Sequence, residues 1–445
     1  MNNKQRNRLR WLIVNGCRFF LAVVFIFSGV VKLIDPKGTE YKIVDYGQAF
    51  GLSHLLPSLV PLFLSVVLAI FEFSMGINMV FAIHRKRTTR LLVLFLLIMT
   101  PLTLYLALTN PVSDCGCFGD ALILTNWQTF GKNLVLLAAA WVTASYRRYM
   151  TRFVLERNQW MISLYTWFYG LLLASFNIMS LPIIDFRPYH IGSNIREKVE
   201  ATGGEWVTYF LLEKDGMQKE FLLENYPDST WTFVDSRTEE VHAPEMPVIN
   251  DFVVTDISTV ENVTWQILED PDYQFLLISP RLEDADDGVM DRLAVLNDYC
   301  QAQGYQLRCL TASTDSIIQR WCDITGAEYD FFHADEEVLK TMIRSNPGLM
   351  LLHDGVVVNK WPSGNLPKEE DLTAPLDDLP LAHPKQSSYI RHLVRLLLWY
   401  LIPLLLWTLA DRMWVAMKLK KRNRNRVIIN QIKNKRNNEK EDCRR

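Results

Sequence analysis

The chain has 445 residues, with 47 Lys and Arg against 49 Asp and Glu and a formal net charge of -2. That length accommodates about two or three domains, and a charge so near zero gives no sign of a nucleic-acid-binding surface. Seven cysteines are an odd number, so no complete disulfide framework is implied.

Six apolar segments are predicted to cross a membrane, running roughly over 11–34, 55–83, 91–108, 127–146, 160–184 and 392–417. A spanning helix needs about 20 largely apolar residues. The first five segments meet that need. The sixth is interrupted by Arg395 and Asp411, and Trp399, Tyr400, Trp407 and Trp414 offer it interface anchors. An amphipathic helix lying on the surface competes with spanning there. The first segment is too long for a cleaved signal peptide, and Asp35-Pro36-Lys37 gives no small-residue cleavage site.

Basic residues cluster before the first segment (Lys4, Arg6, Arg8, Arg10), between the second and third (Arg85, Lys86, Arg87, Arg90), between the fourth and fifth (Arg147, Arg148, Arg152, Arg157) and in the tail from Lys418. Six alternating spans put all four clusters on the cytoplasmic side. Both termini are then cytoplasmic. The loop from Asp35 to His54, the stretch around Cys115 and the block from Asp185 to Ser388 face outward. The expected organisation is a five-helix bundle over 1–184, a strand-rich outward segment over 185–245, an α/β domain over 246–388, a sixth spanning helix over 389–417 and a basic tail over 418–445.

Within the outward block, Trp206–Leu212, Lys214-Asp215-Gly216 and Phe221–Leu223 predict a hairpin. Further on, strands at Tyr273–Ser279, Gln306–Leu310, Gly348–Leu352 and Val356–Val358 alternate with helices over 289–303 and 315–325, with a last helix expected near 366–372. Such alternation argues for an α/β sheet. The order resembles the thioredoxin-like fold over about a quarter of the chain. Asn346-Pro347 stands where that family carries a cis proline. The family's Cys-x-x-Cys position reads instead Ser279-Pro280-Arg281-Leu282-Glu283-Asp284-Ala285-Asp286-Asp287. Four carboxylates and no thiol stand there, so this domain is not expected to exchange dithiols at the usual site. Cys300, Cys309 and Cys322 read as buried apolar thiols, with a Cys300–Cys309 bridge as the alternative.

The chemistry concentrates in Ser113-Asp114-Cys115-Gly116-Cys117-Phe118-Gly119-Asp120, between the third and fourth segments. On an oxidising side, Cys115 and Cys117 are a candidate redox pair that cycles between dithiol and disulfide. A permanent small-loop disulfide or two inert thiols are the structural alternatives. Two thiolates with no nearby histidine make an incomplete zinc set, so no metal is assigned; His54 is a distant candidate ligand. Glu72 sits mid-segment, where a carboxylate is costly and marks function. Rise along the helices makes Arg18 its expected ion-pair partner, with a proton relay as the other role. Lys32 is expected to snorkel to the outer face.

Arg18-Phe-Phe-Leu-Ala-Val-Val-Phe-Ile-Phe-Ser28-Gly29-Val-Val-Lys32-Leu33-Ile-Asp35-Pro36, Glu72 and Gly76, and Cys115-Gly116-Cys117-Phe118-Gly119 together resemble the DoxX family, in its branch with the methylamine-utilisation protein MauE. The resemblance covers about the first 150 residues. It implies a four-helix core like that of vitamin K epoxide reductase, with extra helices, in a bacterial inner membrane. It further implies a thiol-disulfide oxidoreductase or electron-transfer component acting on periplasmic protein clients, with a quinone as the electron partner. No phosphate loop or dinucleotide fingerprint is visible, so no other cofactor is evident. The alternative is a non-enzymatic scaffold or assembly factor that binds a client through the cysteine-less thioredoxin-like domain. The lipid bilayer is the one partner common to both.

Overall fold

The computed structural model describes all residues except 1–2, 53–56, 58, 113, 201–204, 215–216, 223–230, 243–247, 384–387 and 443–445. His54 and Cys443 therefore lie outside the described residues. The chain divides into a helical unit (1–184 with 387–445) and a second unit (185–386).

The helical unit opens with α1 (Asn3–Ile34), α2 (Pro36–Ala49), α3 (Leu59–Phe81), α4 (Arg85–Thr109), α5 (Asn126–Ser145) and α6 (Gln159–Met179), and a C-terminal helix spans Ser388–Asp442. Among the described residues, five helices are long and apolar enough to cross a membrane: Asn3–Ile34, Leu59–Phe81, Arg85–Thr109, Glu156–Met179 and Val394–Ile429. Their outer faces carry exposed Val23, Phe63, Ile98, Leu164 and Phe168. A soluble protein rarely shows so much contiguous apolar surface, whereas lipid covers it. The chain is an integral membrane protein.

α5 is not among the five, because Gln128, Lys132, Asn133 and Thr143 interrupt its apolar run. Its packing nevertheless sets its depth. Asn126 Nδ2 donates to Asn110 Oδ1 (2.7 Å) and Val112 O (2.9 Å) at one end, and Asn133 Nδ2 reaches Thr103 Oγ1 (3.2 Å) two turns along. α5 therefore runs antiparallel beside α4. The C-terminal helix behaves likewise against α6. Tyr169 and Tyr165 hydroxyls donate to Leu396 O (3.0 Å) and Trp399 O (2.9 Å), while Asn158 Nδ2 donates to Asp411 Oδ1 (2.6 Å). Asp411, which weakened the sixth segment as a sequence, is thus buried against the start of α6 and also accepts from Leu155 N (3.0 Å). The C-terminal helix thus packs side by side with α6 over about four turns.

The segment after Asp35, expected to be a loop, holds the helix α2. Asp35 Oδ1 accepts from Gly38 N (2.8 Å) and Pro36 opens the first turn, a common N-terminal signature. α1 and α3 pack most closely at their glycines. A Cβ on Gly76 would lie 2.6 Å from Ile26 Cγ1, and one on Gly29 would run into the Phe73 backbone. These small residues let the two helix backbones approach. The contacts also fix the register, so that Gly29 is level with Phe73 and Ile26 with Gly76.

The second unit is β-rich. β1 (Glu205–Lys214), β2 (Met217–Leu222) and β3 (Thr232–His242) form an antiparallel sheet ordered β2-β1-β3. The expected hairpin is its β1–β2 pair, and β3 had no sequence prediction. β4 (Val254–Asp256), β5 (Tyr273–Ser279), β6 (Gln306–Thr311), β7 (Asp330–Ala334), β8 (Gly348–His353) and β9 (Val356–Pro362) form a mixed sheet ordered β4-β7-β6-β5-β8-β9. β5, β6 and β7 are parallel, and β8 and β9 return antiparallel. β5 is central and apolar throughout, with Phe275, Leu276, Leu277 and Ile278 wholly buried, as a strand covered on both faces should be. The helix Met290–Gln303 packs Leu293, Leu296 and Cys300 into this core.

The Asn346–Pro347 bond is cis. The segment expected to be a last helix near 366–372 holds only short 3₁₀ turns, because Pro367 and the run Glu369-Glu370-Asp371 leave too little apolar face to bury. Cys300 and Cys309 are both buried free thiols, so the alternative bridge is not formed. Burial pushes both well above the ordinary thiol value, Cys300 to about 12. Asp185, Arg187 and Lys360 form a buried ionic cluster, with Asp185 accepting from Arg187 Nε (2.7 Å) and Lys360 Nζ (3.0 Å). The two cations hold the Asp185 carboxyl well below its usual range against the opposing effect of burial.

Candidate functional site

Cys115 and Cys117 lie on the loop between α4 and α5. Gly116 between them has φ +64°, a conformation that favours glycine, and it curls the chain so that the two sulfurs face each other. Their Sγ atoms are 3.1 Å apart. Closing to a disulfide, at about 2.05 Å, needs a movement of only about 1 Å. Cys115 is buried, while Cys117 is half-buried.

α2 holds one side of the loop. Lys42 Nζ pairs with Asp114 Oδ1 (2.6 Å), Asp114 Oδ2 accepts from Gly116 N (3.0 Å), and the Tyr46 hydroxyl donates to Cys115 O (2.8 Å). Burial raises the Tyr46 phenol far above its ordinary value, so it stays a neutral donor.

α1 and α3 hold the other side. Lys32 Nζ reaches Glu72 Oε2 (2.7 Å), Ser28 Oγ (2.8 Å) and Cys117 O (2.7 Å). Ser28 Oγ in turn lies 2.7 Å from both Glu72 Oε2 and Cys117 O. Ser28 and Lys32 are four residues apart and so share one face of α1. All three side chains are buried, which makes this a fully engaged ionic knot beneath the cysteine loop.

Lys32, not Arg18, is therefore the partner of Glu72. The expectation failed because it placed the centres of α1 and α3 at one depth. The glycine register instead sets Glu72 level with the 28–32 turn of α1. Arg18 is about 12 residues lower, or roughly 18 Å along the helix. Arg18 is wholly buried there, and Nε donates to Met79 O (2.6 Å), Nη2 to Val80 O and Nη1 to Thr151 O (2.8 Å) and Asn15 Oδ1 (2.9 Å). It caps the carbonyl end of α3, where a cation is favoured. Lys32 does not snorkel, because Glu72 and two oxygens satisfy it where it stands.

Residues not singled out from the sequence complete the site. Lys132 of α5 sits over the Phe118 ring, 4.2 Å from its centroid. An ionisable residue inside an apolar helix is itself a signal of function, and it was available at Lys132. Ser28, Lys132 and Asn133 line a cavity of about 30 Å³ together with Glu72, Cys117 and apolar side chains including Phe95. That volume holds a water molecule or two.

The electrostatics differ between the thiols. The hydrogen bond with Cys115 lowers the pKa of Cys117; burial opposes this, Lys132 and Lys32 reinforce it, and Glu72 works against them. Cys115 is raised, first by that hydrogen bond and then by burial. Cys117 is thus the thiol of the pair that these groups favour in its thiolate form, and the thiolate is the reactive form of a thiol. A testable sign follows. The alkylation rate of Cys117 should rise with pH and reach its plateau below the ordinary thiol value of about 8.5. Lys132→Met should move the midpoint upward. Quantifying Cys117-containing peptides by mass spectrometry across pH reads both, and an unshifted midpoint in wild type contradicts the assignment.

Residues 10–145 match the family described as methylamine utilisation protein MauE. They form a MauE-family domain. It takes in α1 to α5, and hence the whole cysteine loop with its Lys32–Glu72 knot. Beyond the MauE-family domain, residues 207–242 match a domain of unknown function, DUF8463, which corresponds to the β1–β3 sheet. No curated protein matches the chain.

Proposed function

We propose that this protein is a membrane thiol-disulfide exchange component whose working pair is Cys115 and Cys117. The observation that carries the reading is the pair itself, two free thiols 3.1 Å apart with Lys32 and Lys132 acting on the inner one. In the exchange, the Cys117 thiolate attacks one sulfur of a partner protein's disulfide and the partner's other sulfur leaves as a thiolate. Cys115, giving up its proton, then attacks Cys117 Sγ. The second partner thiolate leaves, and the Cys115–Cys117 disulfide remains. Two electrons and two protons pass to the partner, and the reverse sequence oxidises a partner dithiol through the same mixed disulfide.

Orientation belongs to the same reading. The basic clusters before α1, at the start of α4 and between α5 and α6 favour a cytoplasmic side, which puts the cysteine loop and the 185–386 unit in the periplasm of a bacterial inner membrane. Methylamine utilisation, the role named for the matched family, makes a periplasmic enzyme subunit rich in disulfides the natural client. The quinone implied by the resemblance does not fit the cavity. About 30 Å³ is far below the roughly 300 Å³ at which organic-ligand pockets begin. The thiols of a protein partner are the chemistry this arrangement accommodates.

The 185–386 unit supports a thioredoxin-like reading through its β5-centred mixed sheet and the cis proline that opens onto the Ser279–Asp287 loop. Asn346 ties that loop down, since Ser279 Oγ donates to Asn346 Oδ1 (2.7 Å) and Asn346 Nδ2 to Arg281 O (2.7 Å). With Glu283 accepting from Ser313 Oγ (2.7 Å) in place of any thiol, its role is client binding. A second reading is that the whole chain is a scaffold. The observation favouring it is that Lys32 and Ser28 grip the Cys117 carbonyl, a brace independent of sulfur chemistry. Thiol trapping in intact membranes separates the two. Exchange requires the pair to change redox state, and a scaffold requires one fixed state.

A further inference from the structure

At the end of the bundle away from the cysteine loop lies a cavity of about 520 Å³, lined by Arg85, Lys86, Arg87, Arg147, Arg148 and Arg152. One carboxylate, Glu156, lines it too, and it is paired with Arg152 at 2.5 Å. No ion pair joins Lys86, Arg87, Arg147 or Arg148 to a carboxylate among the described residues. Six cations against one carboxylate in one concavity are costly unless an anion shares it.

Three features select the anion. First, the 25-residue helix α4 begins on this cavity with no acidic residue in its first turn, and its N-cap His84 makes no side-chain cap. The partial positive charge of that helix end is thus open to the cavity. Second, the lining is built rather than incidental. His84 N donates to Gln159 Oε1 (2.8 Å), and Arg85 Nη1 donates to Met150 O (3.0 Å) and Arg147 O (3.3 Å), which clamps the α3–α4 turn to the α5–α6 connection. Third, the aromatic side chains at the same helix ends mark the lipid interface. Tyr146 and Trp160 adjoin lining residues and are exposed, and the exposed Trp11 donates Nε1 to Thr151 Oγ1 (3.1 Å). Tyr and Trp at such positions sit at headgroup level. The cavity therefore opens where lipid phosphates are, not into bulk water alone.

We propose that this cavity binds the phosphate of an anionic phospholipid headgroup, with Lys86, Arg87 and Arg148, which no described carboxylate pairs, as donors around it. Basic pockets between membrane helices commonly take such headgroups. The site is independent of the cysteine pair, and its test needs no redox readout.

Full-length protein in detergent is offered phosphatidylglycerol, phosphatidylcholine or inorganic phosphate, and retained lipid is read by native mass spectrometry. Wild type should retain phosphatidylglycerol in preference to phosphatidylcholine. Lys86→Gln/Arg87→Gln/Arg148→Gln should lower that preference by up to about a hundredfold, at about one surface charge's worth per residue. The control Arg6→Gln/Arg8→Gln, and the charge-keeping Lys86→Arg/Arg87→Lys/Arg148→Lys, should leave it largely intact and guard against misfolding. Equal retention of the two lipids, a preference unchanged in the glutamine variant, or displacement of phosphatidylglycerol by equimolar inorganic phosphate would overturn the proposal.

Discussion

Glu72→Gln is expected to destabilise the helical unit by about 3–5 kcal/mol, because it leaves the buried Lys32 ammonium without its counter-charge. Lys32 is 4% exposed and its other two contacts, Ser28 Oγ and Cys117 O, are neutral. Lys32→Met should cost a similar amount by stranding the carboxylate. The double change Lys32→Met/Glu72→Leu should recover most of it, since replacing both ions with apolar groups removes two desolvation penalties together. Thermal and denaturant unfolding in detergent measures the cycle, and the coupling between the two sites is the diagnostic quantity. Arg18→Met serves as the contrast. It should destabilise by uncapping α3 and show no coupling to Glu72. Significant coupling between Arg18 and Glu72 would contradict the register on which the site is built. Lys32→Met carries a second signature, slower alkylation of Cys117, because one of its two nearby cations is gone.

The cysteines are expected to be unequal. Cys115→Ser leaves the nucleophile in place without its resolving partner, so mixed disulfides with a client should accumulate on Cys117. Cys117→Ser leaves only Cys115, which is buried and which that burial still holds no lower than an ordinary thiol once its neighbour is removed. Such a thiol is only a few per cent thiolate at neutral pH, so mixed-disulfide formation should fall by roughly tenfold or more. Non-reducing electrophoresis of each variant after acid quenching reads the difference. Equal accumulation in the two variants would remove the assignment of Cys117 as attacker, and none in either would favour the scaffold.

Much of this arrangement is legible in the sequence. The apolar runs located the first five long helices to within a few residues at most of their ends, whereas the last helix runs on to Asp442, well past the expected end near 417, and the alternating strands of the second unit emerged at Tyr273, Gln306, Gly348 and Val356. Periodicity is strong evidence where a segment is buried on one or both faces. The Cys115–Cys117 pair and Glu72 stood out because thiols in close pairs and carboxylates in apolar helices are rare without a use. What the sequence did not convey was the offset between helices. The partner of Glu72 depends on whether Gly29 meets Phe73 or some other turn of α3, and that is settled by close packing of small residues across two elements far apart in sequence. Lys132 was missed for a different reason. Gln128, Lys132 and Asn133 fall together in the first half of its helix, so the lysine blended into a polar stretch of an otherwise apolar segment. The short helix after Asp35 was recoverable from its Asp-Pro start. β3 and β7 were not, because their pairing is set by neighbouring strands rather than by a clear alternation of their own.

The central claim is that Cys115 and Cys117 change oxidation state as a pair. Alkylation of intact membranes with a mass-shifting maleimide, after reductant, oxidant or no treatment, tests it without any substitution. Exchange predicts both thiols labelled after reductant, both protected after oxidant and a mixture in untreated membranes. A labelling pattern identical under all three conditions would contradict it and leave the cysteine loop as a brace above the Lys32–Glu72 pair.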